Sequence, residues 1–205
     1  MTQLQITDSV RTVQTYFDAN APDWDQHSKP DYEKINMILQ MIDMQPDKHI
    51  LDVACGTGVL FPALLQYRPR IIRAIDVSSE MVRIAAEKHS DHRLRISAMD
   101  FYSFEECGFD YLMVYNAYPH FLNKEKFAKR ASACLNPGGR IVIAHNSGRV
   151  NINNRHAGKH VQIVSAPLKP IQEEIQDLKS HFTFDIMVDT EHVYILSGRI
   201  CTQHI

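Results

Sequence analysis

Between Asp52 and Gly58 the chain sets a carboxylate, a hydroxyl and two glycines, directly after the apolar residues Ile50, Leu51 and Val53. An apolar run of this kind reads as a central strand of a parallel sheet. Gly56 and Gly58 let the backbone leave that strand sharply and approach a ligand with no Cβ in the way. Leu60 to Leu65 then opens a helix whose free amide groups face the same spot, an arrangement suited to a nucleotide-like ligand. The turn has neither the Gly-Lys-Ser/Thr ending of a phosphate-binding loop nor the third glycine of a dinucleotide fingerprint. About twenty residues on, Ile71 to Val77 forms a second apolar strand that ends in Asp76. An acid at that place can accept from both hydroxyls of a ribose.

The elements that position these groups alternate along the chain. Val10–Asn20 and Tyr32–Met44 carry apolar residues at helical spacing, with a loop-like stretch at 21–30 between them and Pro46 as the stop. Ser78 or Ser79 caps a helix that follows the second strand. The strand Leu94–Phe101 delivers Asp100, and Tyr111–Tyr115 is a fourth strand, emptying into a loop with Asn116, Tyr118, His120 and Phe121. Pro137, Gly138 and Gly139 turn the chain into a fifth strand, Arg140–Ala144. Segment 146–160 is rich in Asn, His and Arg and not strongly helical. Residues 168–182 form an amphipathic helix, and 183–200 form two strands joined at Asp189–Glu191. The expected fold is α/β, a Rossmann-like doubly wound sheet, mostly parallel with an antiparallel C-terminal hairpin strand.

The order Asp52-x-Ala54-x-Gly56-Thr57-Gly58, then Asp76, Asp100 and the Asn-Pro-Gly-Gly turn, resembles the class I S-adenosylmethionine (SAM) dependent methyltransferases over roughly residues 45 to 145. The closest feel is to the ubiquinone and menaquinone type small-molecule enzymes, although Asn116–Phe121 and Ile143–Arg149 depart from their signatures, so a quinone acceptor is not carried over. The resemblance implies a single domain over 1–205, with a helical lid at 1–45, a cofactor core at 46–145 and an acceptor-side segment at 146–205. It implies SAM as cofactor, S-adenosylhomocysteine (SAH) as product, and methyl transfer to a small-molecule acceptor by in-line displacement. Cofactor contacts implied by the family pattern are Tyr16, Asp52, Ala54, Gly56, Thr57, Gly58, Asp76, Val77, Met81, Met99, Asp100, Phe101 and Asn116. Cys55 reads as a small packing residue.

The acceptor side is read from residue type and place. His120 and His145 are the candidate acid–base catalysts, since an imidazole exchanges protons near neutral pH. Trp24, Tyr118, His120, Arg149 and His156 are candidate substrate contacts. His156 and His160 stand four apart, so on a helix they would share a face and, with His120 or His145, hold a metal-linked acceptor. No resident metal is expected. The other alternative is a SAM- or nucleoside-binding protein without catalysis. In the full chain of 205 residues the formal charge is −2, which leaves no electrostatic footprint for nucleic acid. No apolar stretch approaches the ~20 residues that span a bilayer, and the four cysteines lack metal-like spacing. A cytoplasmic protein with reduced thiols, no membrane contact and no nucleic-acid partner is the expectation.

Overall fold

The computed structural model describes residues 3–158 and 161–201, with side chains from residue 9 onward. Seven strands form one sheet in the order β3-β2-β1-β4-β5-β7-β6. They are β1 (His49–Val53), β2 (Ile71–Asp76), β3 (Leu94–Ala98), β4 (Phe109–Tyr115), β5 (Leu135–His145), β6 (Phe182–Asp189) and β7 (Tyr194–Ile200). The first five are parallel, whereas β7 runs antiparallel to both β5 and β6.

The helices are α1 (Gln3–Asn20), α2 (Trp24–His27), α3 (Tyr32–Met41), α4 (Phe61–Gln66), α5 (Ser79–Lys88), α6 (Lys124–Cys134), α7 (Arg149–His156) and α8 (Ile171–Glu174). Short polar side chains start three of them. Asp31 accepts from the Lys34 amide, Ser78 from that of Met81 and Asn123 from that of Lys126, each satisfying a donor the helix itself cannot use. In α5, Glu80 in the first turn and Lys88 in the last also complement the helix dipole.

Because successive strand residues point to opposite faces, each strand feeds two cores. Leu51, Val53, Leu112, Val114, Ile141 and Ile143 pack with Phe127 and Ala131 of α6 on one face. On the other, Ile50, Ile72, Tyr111, Met113 and Val142 meet Ile35, Ile38 and Leu39 of α3 and Phe61 and Leu64 of α4. Burial on both faces explains why β1 and β4 are almost continuously apolar. The strand order reverses beside β1, which opens a crevice at the carboxyl ends of β1 and β4.

Several expected elements differ. Residues 21–30 are not a plain loop: Ala21–Asp23 makes a 3-10 turn that runs into α2. The helix α3 stops at Met41, short of Met44. Strand β3 ends at Ala98, and Phe101 begins a 3-10 turn capped by the Asp100 carboxylate. The strand β5 starts at Leu135; partners jump from Leu135 to Arg140 opposite Phe109 and Tyr111, so Asn136–Gly139 bulges out of the ladder. Residues 149–156 are helical, contrary to the expectation for that polar segment. The predicted helix over 168–182 shrinks to α8 and a 3-10 turn at Ile175–Asp177. Pro170 blocks its first turn, and Glu174 is drawn inward, accepting from the Tyr118 hydroxyl and the Lys169 amide.

Candidate functional site

The turn after β1 takes left-handed backbone at Ala54 (φ 57°), Gly56 (φ 53°) and Gly58 (φ 86°). Two of these positions are glycine for different physical reasons. A Cβ on Gly58 would lie 2.6 Å from the Phe61 ring and 2.8 Å from His89, whereas one on Gly56 would meet nothing within 4 Å. Gly56 thus borders open space. That space is a cavity of about 410 Å³ along the strand ends, within the range usual for small-molecule sites.

Val53 and Ala54 line it from β1, Asp76 and Val77 from the end of β2, Met99 and Asp100 from beyond β3, Tyr115 and Asn116 from β4, and Asn146 from beyond β5. Of the residues expected from sequence, Trp24, Ala54, Gly56, Thr57, Gly58, Asp76, Val77, Met81, Met99, Asp100, Phe101, Asn116 and His120 all border this one cavity.

Asp76 is its buried anchor. One carboxylate oxygen accepts from the Gly56 amide and the other from the Ser78 amide, both at 2.8 Å. Burial pushes its pKa up to about 6, against the opposing pull of those two amides. Asp52 lies behind the turn, fully buried, with Oδ2 lacking a partner among the described residues. Burial, and after it the charge of Asp76, pushes Asp52 well above the ordinary carboxyl range. Asp100 accepts from the Tyr102 amide at 3.0 Å and the Ser103 hydroxyl at 3.2 Å. Apolar Val77, Met81 and Phe101 line the same cavity as Asp76 and Asp100, the mix of apolar surface and a few polar groups usual for small-molecule sites.

The N-terminal segment closes the cavity. Asp18 of α1 accepts from the Ser78 hydroxyl at 2.6 Å and the Glu80 amide at 3.2 Å. Asp25 of α2 accepts from Thr57 Oγ1 and from Lys88 Nζ, each at 2.6 Å. Thr57, expected as a cofactor contact, is therefore tied to this bridge. Lys88 and His89 also line the cavity and were not anticipated; nothing local in the sequence marks a helix end that meets a residue more than sixty positions away.

His120 sits in a 3-10 turn after β4 (Tyr118–His120). Its Nδ1 lies 2.9 Å from the Val164 carbonyl, which fixes the proton on Nδ1 and leaves Nε2 as an acceptor. Its ring contacts Phe17 at 4.9 Å and His156 at 5.2 Å, both edge-on. Burial pushes its pKa down to about 4, with His156 and Lys124 adding to the effect.

Six expected site residues stand outside the cavity lining: Tyr16, Asp52, Tyr118, His145, Arg149 and His156. Adjacent helix positions differ by about 100°, so Phe17, not Tyr16, faces the cavity. Tyr118, expected as a substrate contact, is wholly buried, donates to Glu174 Oε1 and does not line the cavity. Arg149 is held by Asp189 at 2.9 Å. His145 is buried beside Tyr194, with Nε2 unpartnered among the described residues, and burial pushes its pKa down to about 3. His156 backs His120 without reaching the cavity. His160 lies outside the described residues, and among those described no three His, Cys, Asp or Glu side chains could hold a metal ion. No helix of the described residues is long and apolar enough to cross a membrane.

Residues 50–139 match the family model described as "Methyltransferase domain". Phosphoethanolamine N-methyltransferase 2 of Caenorhabditis elegans is 30% identical over 116 residues, 54% of this chain and 26% of that protein. Malonyl-[acyl-carrier protein] O-methyltransferase of Acetivibrio thermocellus is 31% identical over 93 residues, 44% of this chain and 33% of that protein. The chain thus spans only about a quarter to a third of the length of these relatives. Among solved structures, DhpI in complex with SAH superposes with a TM-score of 0.74 at 16% identity, over 95% of this chain and 98% of that one.

Proposed function

We propose that this chain, whose residues 50–139 match a methyltransferase domain, is a SAM-dependent methyltransferase of class I that transfers a methyl group from SAM to a small-molecule acceptor bound beside His120. The observation that carries this reading is the single cavity shared by the glycine turn, Asp76, Asp100 and His120. Bound SAM would supply a methyl group already activated on a sulfonium, so the protein needs few catalytic groups. Asp76 would accept from the ribose hydroxyls while keeping its two amide bonds. Asp100 would accept from the adenine amino group, with Phe101 and Met81 against the ring. The N-terminal segment would exclude water through the Asp25–Thr57–Lys88 bridge and the walls given by Phe17 and Trp24. His120 would take a proton from the acceptor at Nε2, the nitrogen left free by the Val164 bond.

The two relatives act on different acceptors by name, one at nitrogen and one at oxygen, so neither name identifies the acceptor of this chain. A purely ligand-binding role draws no support from the cavity, in which a proton acceptor stands in the same space as Asp76 and Asp100. Calorimetric titration with SAM and with SAH is the test. Saturable one-to-one binding of both is expected, and absence of binding by either would refute the donor site.

A further inference from the structure

Two aromatic–acid pairs occur in the N-terminal segment, Phe17-Asp18 in α1 and Trp24-Asp25 in α2. In each pair the aromatic ring lines the cavity and the acid binds the core. Asp18 accepts from Ser78 Oγ at 2.6 Å and from the Glu80 amide at 3.2 Å, and the Ser78 amide in turn donates to Asp76 at 2.8 Å. Asp25 accepts from Lys88 Nζ and from the hydroxyl of Thr57, which stands between Gly56 and Gly58, each at 2.6 Å. The two acids therefore hold α5 at its two ends, beside the residues assigned to the donor. At its first turn the carboxylate of Asp18 also meets the positive end of the helix dipole. The inner side of the segment is held differently. Val10, Val13, Phe17 and Trp24 face the cavity instead of a packed core, so apolar burial secures that side only while a ligand fills the space. The Phe17 ring also meets His120 edge-on at 4.9 Å, so the same segment sets the wall there.

We propose, building on the donor-site reading above, that Asp18 and Asp25 are positioning residues for the donor: they fasten the Phe17–Trp24 wall over bound SAM or SAH, and the ligand leaves after both holds open. The core partners tolerate the opening. When the acids withdraw, Ser78 Oγ still accepts from the Met81 amide at 3.1 Å and Thr57 Oγ1 still accepts from Lys88 Nζ at 3.3 Å. The two holds differ in strength. Asp25 and Lys88 are 47% and 38% exposed at their side chains, so their pair is weak and screened by salt. The bonds of Asp18 are charge-assisted, part-buried and not an ion pair, so they are the stronger and the less salt-sensitive. Ligand exchange is thus limited by a segment whose acids sit on the core while its rings sit on the ligand.

Trp24 is the single tryptophan of the chain, so tryptophan emission reports this wall alone. The test follows that emission in the whole protein, with SAH as the probe: acrylamide quenching measures shielding, and stopped-flow mixing measures dissociation. SAH should shield Trp24 in the parent. Asp18→Ala should speed SAH dissociation about tenfold, equivalent to about 1.4 kcal/mol in the barrier, and Asp25→Ala about two- to fivefold. Raising NaCl from about 0.05 to about 0.5 M should speed dissociation from the parent and have little effect on Asp25→Ala, a response that a merely structural role of Asp25 would not produce. Asp25→Ala alters a part-exposed pair and carries the test alone should Asp18→Ala fail to fold. Dissociation at the parent's rate from the folded variants, salt acting equally on parent and Asp25→Ala, or SAH that binds by calorimetry without shielding Trp24 would each overturn the proposal. No calorimetric binding of SAH to the parent would instead refute the donor site on which it rests.

Discussion

Replacing Asp76 by Asn separates what this side chain does for the fold from what it does for the ligand. The carboxylate is buried and accepts from two backbone amides. Its rise from 3.8 to about 6 means that holding it ionised at neutral pH costs the fold about 3 kcal/mol. A neutral carboxamide would escape that cost. It would, however, turn an amide NH2 toward either the Gly56 or the Ser78 N–H, and one lost acceptor for a buried donor costs about 1–3 kcal/mol. The two terms nearly cancel, so Asp76→Asn should unfold within about 2 kcal/mol of the parent. The ligand meets no such cancellation. A charged acceptor contributes about 1.5–3 kcal/mol per hydrogen bond, so the SAM Kd should rise by roughly ten- to a hundredfold. Denaturant unfolding and calorimetric titration of the same preparation measure both. An unchanged Kd with intact stability would refute the assignment of Asp76 to the nucleoside, and a loss of folding would refute the cancellation.

The pH dependence follows from the same group with opposite signs for fold and ligand. The raised pKa of Asp76 contributes stability that is complete below 3.8 and lost as the pH climbs through about 6. SAM affinity needs the ionised form, so the Kd should rise about tenfold between pH 7 and pH 5, as titration calorimetry at the two values would show. Gly58→Ala should destabilise the protein by about 2–4 kcal/mol, because it combines positive-φ strain with a clash against buried Phe61. Gly56→Ala should cost the fold only about 1–2 kcal/mol yet weaken SAM binding, since its methyl enters the open cavity; equal stability of the two variants would contradict this reading of the turn. Tyr118→Phe should lower stability by about 1–3 kcal/mol through the bond lost to buried Glu174. Ligand binding and turnover should stay intact; loss of turnover without loss of stability would restore Tyr118 to the site.

Local rules carried the glycine-turn half of the cavity. The apolar runs of β1, β2 and β4, the Ser78 cap and the glycine turn are each written within a few adjacent residues, because strand period, capping and left-handed backbone are short-range properties. With those elements in order, the carboxyl edge of the sheet gathers Gly56, Asp76 and Asp100 at one cavity. The half around His120 was less legible. Whether Tyr16 or Phe17 faces inward depends on how α1 is rolled against α5, and burial of Tyr118 depends on Glu174, fifty-six positions away. The Asp25–Thr57–Lys88 bridge and the His120–Val164 bond join segments with no local signal for one another. The amino-acid sequence alone therefore determined the strand and turn chemistry that builds the glycine-turn end of the cavity. Only the tertiary structure decided which aromatic, which histidine and which carboxylates share the cavity, because those choices are made by packing between elements distant in the chain.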